Sequence, residues 1–318
     1  MTINNAARTA DELSCAMPQN LTSNQKMDRL RAALRHGWNP TDQPLLNKLE
    51  RCGVDWSGRF PCRSPACVRC RHSHIRQEQR ITADWFGTHD NSDLALVSVV
   101  LGGTSEIGDV SSMIASSREA TRKRVTACRR DDPRWNGVYL SGWHEIDAVG
   151  AEHIPLLPPQ RRGLVEQIAP MAFDRLEPMW LPSWHGIIRL NGLSADEVAF
   201  QFRRTWKIER QVDVRAFDLN LPVATNLAKV TSYANKFDCS LSLIGRINEP
   251  WPIVWQTEFF GWLNSAQRNP FESLRMTVNQ RIPQEDDGVR KAVECLSPMP
   301  FTHSLSGVPM LYNTGRWR

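Results

Sequence analysis

Apolar runs in the middle of the chain predict four β-strands. Residues 94–101 (LALVSVVL) are almost continuously apolar and rich in β-branched residues, as in a buried strand. Shorter segments with a strand pattern are residues 137–147, 181–190 and 212–219. The sequence therefore predicts a central sheet.

Segments with apolar residues at helical spacing alternate with these strands. They are residues 25–36, 71–86, 111–130, 194–206, 224–237 and part of 258–268. Ser194 and Glu197 form the sequence of a capping box at the start of one helix. The alternation fits an α/β or an α+β domain, and its strand–helix–strand units suggest a ferredoxin-like split arrangement. We expect an α+β fold, with a central antiparallel sheet and helices packed on it.

Composition divides the chain into four predicted segments. Residues 1–24 are polar and predict a flexible tail, and residues 25–90 hold a helix and a cysteine-rich module. Residues 91–240 contain the predicted sheet, with five prolines marking 150–179 as an insertion. Residues 241–318 are rich in Trp and Pro and form an extension of unknown role.

The overall composition is that of a globular protein. The 318 residues are 41% hydrophobic and 23% charged, which excludes a disordered chain, a collagen and a disulfide-dense miniprotein. No run of about 18 apolar residues predicts a membrane span, and the N-terminus lacks a signal-peptide pattern, so we expect a cytoplasmic protein. The net charge of +5 permits nucleic-acid binding without requiring it.

Cysteines are concentrated in one short segment. Four of the eight lie within nineteen residues, and they are Cys52, Cys62, Cys67 and Cys70. In a reducing compartment such clustering, closed by a C-x2-C pair, predicts one structural zinc ion bound by four thiolates. Two alternatives are four free thiols and a site in which His72 or His74 replaces a cysteine.

Arginine supplies 32 of the 39 basic residues, either for phosphate contact or through the codon usage of a GC-rich genome. Several arginines surround the cysteines and others lie on the predicted helix 111–130. We expect five of them to contact DNA, namely Arg63, Arg69, Arg71, Arg122 and Arg124.

Two predicted strands carry possible ligands for a divalent cation. Alternation places Ser183 and His185 on one face of strand 181–190. Glu145 and Asp147 share a face of the preceding strand, and His144 joins them only if that strand twists or bulges. Carboxylates with an imidazole can bind Mg²⁺ or Mn²⁺, although a single strand histidine is more often a satisfied core residue.

The chain has three tyrosines, Tyr139, Tyr233 and Tyr312. Tyr233 lies in a predicted helix three residues before Lys236, so both side chains are expected on one side of it. Tyrosine can act as a covalent nucleophile, and a neighbouring ammonium can hold a phosphate. The alternative is an amphipathic tyrosine on a packed helix.

The order of these motifs resembles that of the rolling-circle replication initiators of plasmids and phages, in the HUH endonuclease superfamily. Members carry a cysteine-rich region, an apolar strand, an acidic or His-bearing strand, a His-hydrophobe-His strand and a Tyr-x-x-Lys helix. The resemblance covers about residues 50–240. Ser183 stands where the family has the first histidine of its metal-binding pair.

The resemblance implies an HUH fold and sequence-specific DNA nicking that initiates replication. A catalytic Mg²⁺ or Mn²⁺, held by His185 with Glu145, Asp147 or His144, would polarise the scissile phosphate. Tyr233 would attack it, leaving a 5′-phosphotyrosyl bond and a free 3′-hydroxyl. Lys236 would neutralise the developing charge.

The implied partners are single-stranded or origin DNA and host replication proteins. Three alternatives remain open: a non-catalytic zinc-containing nucleic-acid-binding protein, a transposase or mobilisation relaxase of the same superfamily, and a zinc-stabilised interaction protein.

Overall fold

A computed structural model describes residues 22–37, 42–52, 61–173, 177–244, 249–265 and 269–278. Over these ranges the chain has an α+β fold, with a five-stranded antiparallel sheet packed by helices. None of the helices in this part of the chain combines the length and the apolar character needed to cross a membrane.

The described residues form nine α-helices and seven strands. The helices are α1 (Ser23–His36), α2 (Asp42–Arg51), α3 (Val68–Phe86), α4 (Val110–Asp131), α5 (Pro159–Ile168), α6 (Ala195–Arg203), α7 (Val223–Ala234), α8 (Ile253–Ser265) and α9 (Pro270–Leu274). The strands are β1 (Leu94–Val100), β2 (Leu140–Val149), β3 (Met179–Arg189), β4 (Val212–Ala216), β5 (Ser240–Leu241), β6 (Glu249–Pro250) and β7 (Arg275–Val278).

The main sheet has the strand order β4-β1-β3-β2-β7, and every neighbouring pair is antiparallel. The sequence of elements β1-α4-β2-β3-α6-β4 is that of the split β-α-β arrangement. The predicted insertion at 150–179 lies mainly between β2 and β3 and contains α5.

One face of this sheet is covered by α4 and α6. Val97, Trp184 and Ile188 point to this face and share a buried cluster with Val125 of α4 and Phe202 of α6. This apolar cluster forms the core between the central strands and the two helices.

The opposite face is covered by α3 and α7. Leu96 and Ile187 of the sheet pack there against Phe86 of α3 and Leu227 of α7. Alternation along the strands places the residues of the candidate site on this same face, beneath α7.

A second core joins the two ends of the described chain. Leu34 of α1 and Leu45 of α2 share one buried cluster with Trp251 and Phe259 at α8, and with Trp180 of β3. Part of the extension whose role the sequence left open thus packs with the N-terminal helices. Residues 1–21 of the predicted tail at 1–24 lie outside the described residues. Thr22 is the N-cap of α1, so the last three residues of that range belong to the helix or its cap.

Candidate functional site

The four clustered cysteines bring their sulfur atoms together. Cys52 and Cys62 each lie 3.5–3.6 Å from Cys70, and Cys67 lies 3.5 Å from Cys52. A tetrahedral zinc site with bonds of about 2.3 Å requires sulfurs about 3.8 Å apart, whereas a disulfide holds them at about 2.05 Å. Hydrogen bonds from Cys62 and Cys70 hold the pKa of Cys67 well below its ordinary range, which favours a thiolate.

The cluster is built on the start of α3. Cys67 is its N-cap residue and Cys70 lies in its first turn, while Cys52 directly follows α2. All four ligand atoms lie within 4.8 Å of one another, so the group could hold a metal ion such as zinc. Neither His72 nor His74 belongs to this group. His74 faces inward and bonds Asn235, so the alternative in which it replaces a cysteine is wrong.

A carboxylate, an imidazole and an ammonium meet on the sheet face beneath α7. The Nε2 of His185 lies 3.1 Å from Oε2 of Glu145, and Nζ of Lys236 lies 3.3 Å from Oε1 of the same carboxylate. The other ring nitrogen of His185, Nδ1, hydrogen-bonds Ser98 Oγ at 2.8 Å. Ser183 Oγ lies 3.2 Å from His185 Nε2. Each oxygen of Glu145 thus has a basic partner.

The charges in this cluster stabilise one another. Burial of Glu145 would raise its pKa, but the Lys236 ammonium and the His185 hydrogen bond outweigh burial and lower the pKa from 4.5 to about 2. Burial opposes the charge of Lys236, but Glu145 and Asp147 raise its pKa above the ordinary value. At neutral pH the site therefore holds an ionised carboxylate beside an ammonium.

His144 does not belong to this site. β2 pairs with β3 in regular register, with His144 opposite Trp184, so alternation turns His144 to the face covered by α4. There its Nε2 lies 3.0 Å from Ser117 Oγ and its Nδ1 donates to the Leu274 carbonyl. The pairing of β2 with β3 contains no bulge that would turn His144 to the other face, so the assignment of His144 as a ligand is wrong. Burial lowers its pKa to about 3 and keeps the ring neutral.

Asp147 has a different partner from Glu145. Its Oδ2 accepts a hydrogen bond of 2.8 Å from the Arg161 guanidinium of α5. Burial nevertheless raises the pKa of Asp147. This carboxylate is therefore paired with the insertion between β2 and β3.

These residues do not fit the predicted Mg²⁺ or Mn²⁺ site. Among the residues that the structure describes, the four cysteines are the only group of three or more His, Cys, Asp and Glu ligand atoms that meet closely enough for a metal. Glu145 and His185 supply two donors, Ser183 replaces the imidazole expected from the resemblance, and the Lys236 ammonium lies beside them. A second cation would be repelled by that ammonium.

Tyr233 lies near the C-terminal end of α7 and packs against His185. Their ring centroids are 5.3 Å apart and the rings are nearly perpendicular, at 85°. Lys236 Nζ lies 4.7 Å from the Tyr233 ring centroid. The predicted helix 224–237 ends at Ala234, so Lys236 lies in the following loop, yet both residues reach one site.

The other tyrosines are placed differently. The Tyr139 hydroxyl donates to the Trp85 carbonyl at 2.7 Å, and burial raises the pKa of this phenol to about 12. Tyr139 is therefore poorly suited to nucleophilic attack. Tyr312 lies outside the described residues.

The five arginines expected to contact DNA fall into three groups. Arg63 and Arg69 are exposed beside the cysteine cluster. Arg71 instead points inward and donates to the Phe237 carbonyl at 2.9 Å, so its assignment as a DNA contact is wrong. Arg122 and Arg124 lie on α4, on the opposite side of the sheet from Tyr233, and Arg124 bonds Thr205.

Two residues of the site were not singled out from the sequence. Ser98 is the one polar residue within the apolar run 94–101, and that interruption was a usable signal. Arg161 lies in the proline-rich insertion, and no spacing relates it to Asp147.

Comparison with protein-family models, curated proteins and solved structures found no match for this chain.

Proposed function

We propose that this chain is a sequence-specific DNA nicking and strand-transfer enzyme that initiates rolling-circle replication, with an HUH-like fold and Tyr233 as its nucleophile. The observation that carries the proposal is the packing of Tyr233 on His185, with Lys236 over the tyrosine ring. The proposal places the protein in the cytoplasm with host replication proteins.

The proposed reaction is an exchange of phosphodiesters. The Tyr233 oxygen forms a bond to phosphorus, and the bond from phosphorus to the 3′-oxygen breaks. The phenol proton moves to the 3′-oxygen, which leaves as a free 3′-hydroxyl. The 5′-phosphate stays bound to the tyrosine. No further reactant is consumed, and the 3′ end can prime synthesis.

Lys236 supplies the positive charge that this transfer needs. Its side chain is 31% exposed, whereas Glu145 behind it is 13% exposed. The cavity lined in part by Lys236, Glu145 and Asp147 measures about 20 Å³, room for one water molecule and too small for a phosphate. A DNA phosphate therefore approaches from the solvent side of Lys236, where the ammonium can hold its oxygens.

The four-cysteine group is proposed to bind a structural Zn²⁺, because four thiolates leave no open position for chemistry. Arg63 and Arg69 beside it offer exposed guanidinium groups to the DNA backbone. Within the described part of the chain, neither has an acidic partner within 4.0 Å.

The test is formation of a covalent complex between the full chain and a labelled single-stranded DNA library. Parallel reactions contain excess chelator or Mn²⁺. We expect a covalent band that survives denaturation and is lost in Tyr233→Phe, which removes one oxygen. Tyr139→Phe is the matched control and should keep the band.

Two results would overturn the proposal. One is the absence of a band in both reactions, and the other is a Tyr233→Phe band equal to that of the parent. A band that forms in excess chelator supports Lys236 as the charge at the site. A band that requires Mn²⁺ would show that the reaction uses a catalytic metal. It would refute our conclusion that Glu145, His185 and Ser183 do not form a site for a divalent cation.

The second candidate is a non-catalytic zinc-containing DNA-binding protein. The observation that favours it is Ser183 in place of a metal-binding histidine. Salt-sensitive DNA binding without any covalent band would select this candidate.

A further inference from the structure

The loop that carries Lys236 has an unusual backbone. Between α7 and β5, Phe237 has φ 43° and Cys239 has φ 45°. Residues other than glycine rarely adopt these left-handed values, and they keep them only where surrounding contacts enforce them. The position of the Lys236 ammonium therefore depends on what holds this loop.

Two side chains of α3 hold the residues on either side of Lys236, while Lys26 of α1 pairs with Asp238 further along the loop at 3.0 Å. The Nη1 of Arg71 donates to the Phe237 carbonyl at 2.9 Å, and the Nε2 of His74 bonds the Asn235 amide oxygen at 3.1 Å. These contacts fall on either side of Lys236 in the sequence. The His74 ring is itself stacked on Phe271, with centroids 4.0 Å apart.

Both side chains lie on α3 just after the cysteines at its start. Arg71 directly follows Cys70, and its backbone N–H donates to the Cys67 carbonyl at 2.9 Å. His74 lies one turn further along the same helix. The N-cap of α3 has no side-chain hydrogen bond, so its first turn lacks the usual side-chain anchor. A metal ion bound by the sulfurs of Cys67 and Cys70 would add such an anchor to the backbone hydrogen bonds of this turn.

We propose that the metal-binding cysteine cluster positions Lys236 at Glu145, with Arg71 as the positioning residue between them. A metal ion bound by the four sulfurs fixes the first turn of α3, and Arg71 and His74 transmit that geometry to the loop. Loss of the ion releases Lys236 from the site. Only the catalytic consequence rests on the proposed function, since the structural link does not involve DNA.

The link is tested by the reactivity of the Lys236 amine in the full chain. Competitive labelling with an amine reagent, read by mass spectrometry, compares Lys236 with the exposed Lys229 in one sample. At Glu145 the Lys236 amine is kept protonated and partly covered, so it labels slowly. We expect Arg71→Gln to label several times faster at Lys236, with Lys229 unchanged.

The matched control is Arg69→Gln, two residues earlier on the exposed side of α3, which should label like the parent. Arg71→Lys keeps one donor and should restore much of the protection. Metal content, measured on each variant, should stay at that of the parent. Protein stripped of its metal under reducing conditions should label at Lys236 like Arg71→Gln.

Unchanged Lys236 labelling in Arg71→Gln would overturn the proposal. So would unchanged labelling in protein shown to have lost its metal. If stripped protein unfolds, Lys236 labelling in the metal-loaded Arg71 variants still tests the role of Arg71. Lys236 labelling in a cysteine variant that retains its fold then tests the role of the cluster. Coupled labelling without a covalent DNA band would refute the proposed function alone.

Discussion

Replacing Glu145 with glutamine removes the charge on which the candidate site is centred. The amide keeps the shape of the carboxylate, but it leaves the Lys236 ammonium without its nearest counterion and loses the charge opposite His185. We expect Glu145→Gln to fold and to be clearly less stable than the parent at neutral pH.

The magnitude follows from the pKa of Glu145. Lowering it from 4.5 to about 2 corresponds to roughly 3 kcal/mol of stabilisation by the ionised form. Breaking a buried ion pair by removing one partner typically costs about 3–5 kcal/mol. We therefore expect a loss of about 3 kcal/mol at pH 7. Because the folded-state pKa is depressed, this contribution is complete above pH 4.5 and is lost as the pH falls towards about 2.

Urea unfolding at pH 7 measures this loss, with Glu119→Gln as the matched control. Glu119 makes the same type of contact, 2.6 Å to Lys123, but its side chain is 65% exposed. Such an exposed surface pair is expected to contribute little to stability. The double variant Glu145→Gln, Lys236→Met should recover part of the loss, because it leaves no unpaired ammonium. Equal losses of stability in Glu145→Gln and Glu119→Gln would show that the Glu145 charge does not stabilise the fold.

Three further predictions concern other parts of the molecule. Burial lowers the pKa of His144 to about 3, so folding stability should fall as the pH drops from 6.5 towards that value, and His144→Gln should flatten the curve of unfolding free energy against pH. Equal slopes for parent and variant would contradict this. Elemental analysis should find one zinc per chain, falling below half in Cys70→Ser, and a parent with less than half an equivalent would refute the site. Asp147→Asn should destabilise the fold by removing the charge opposite Arg161, and an unchanged urea midpoint would show that this pair contributes nothing.

The central strands could be predicted from the sequence because their signals are local. The apolar run 94–101 became β1, and Ser194 with Glu197 formed the expected capping box. Strand alternation also placed Ser183 with His185, and Glu145 with Asp147, as the register of β2 and β3 shows. Each of these depends on residues a few positions apart, so spacing alone was informative.

The missed features depend on contacts distant in sequence. β7 has only four residues, and it becomes a strand by pairing with β2 at the sheet edge. The basic pattern of α3 suggested that Arg71 faces DNA, but α7 and its following loop cover that side of the helix. Lys236 lies beyond the helix end because Asn235 and Phe237 have non-helical backbone angles. No residue pattern predicted this end of the helix.

The most direct test of the account is the identity of the residue that carries DNA after cleavage. Trypsin cuts after Lys229 and Lys236, so Tyr233 lies in the peptide of residues 230–236, VTSYANK. The covalent complex is digested with nuclease and trypsin and analysed by tandem mass spectrometry. We predict a nucleotide phosphate on Tyr233 in this peptide and its absence from the Tyr233→Phe sample. A nucleotide on any other residue, or no modified peptide from DNA-treated protein, would contradict the account.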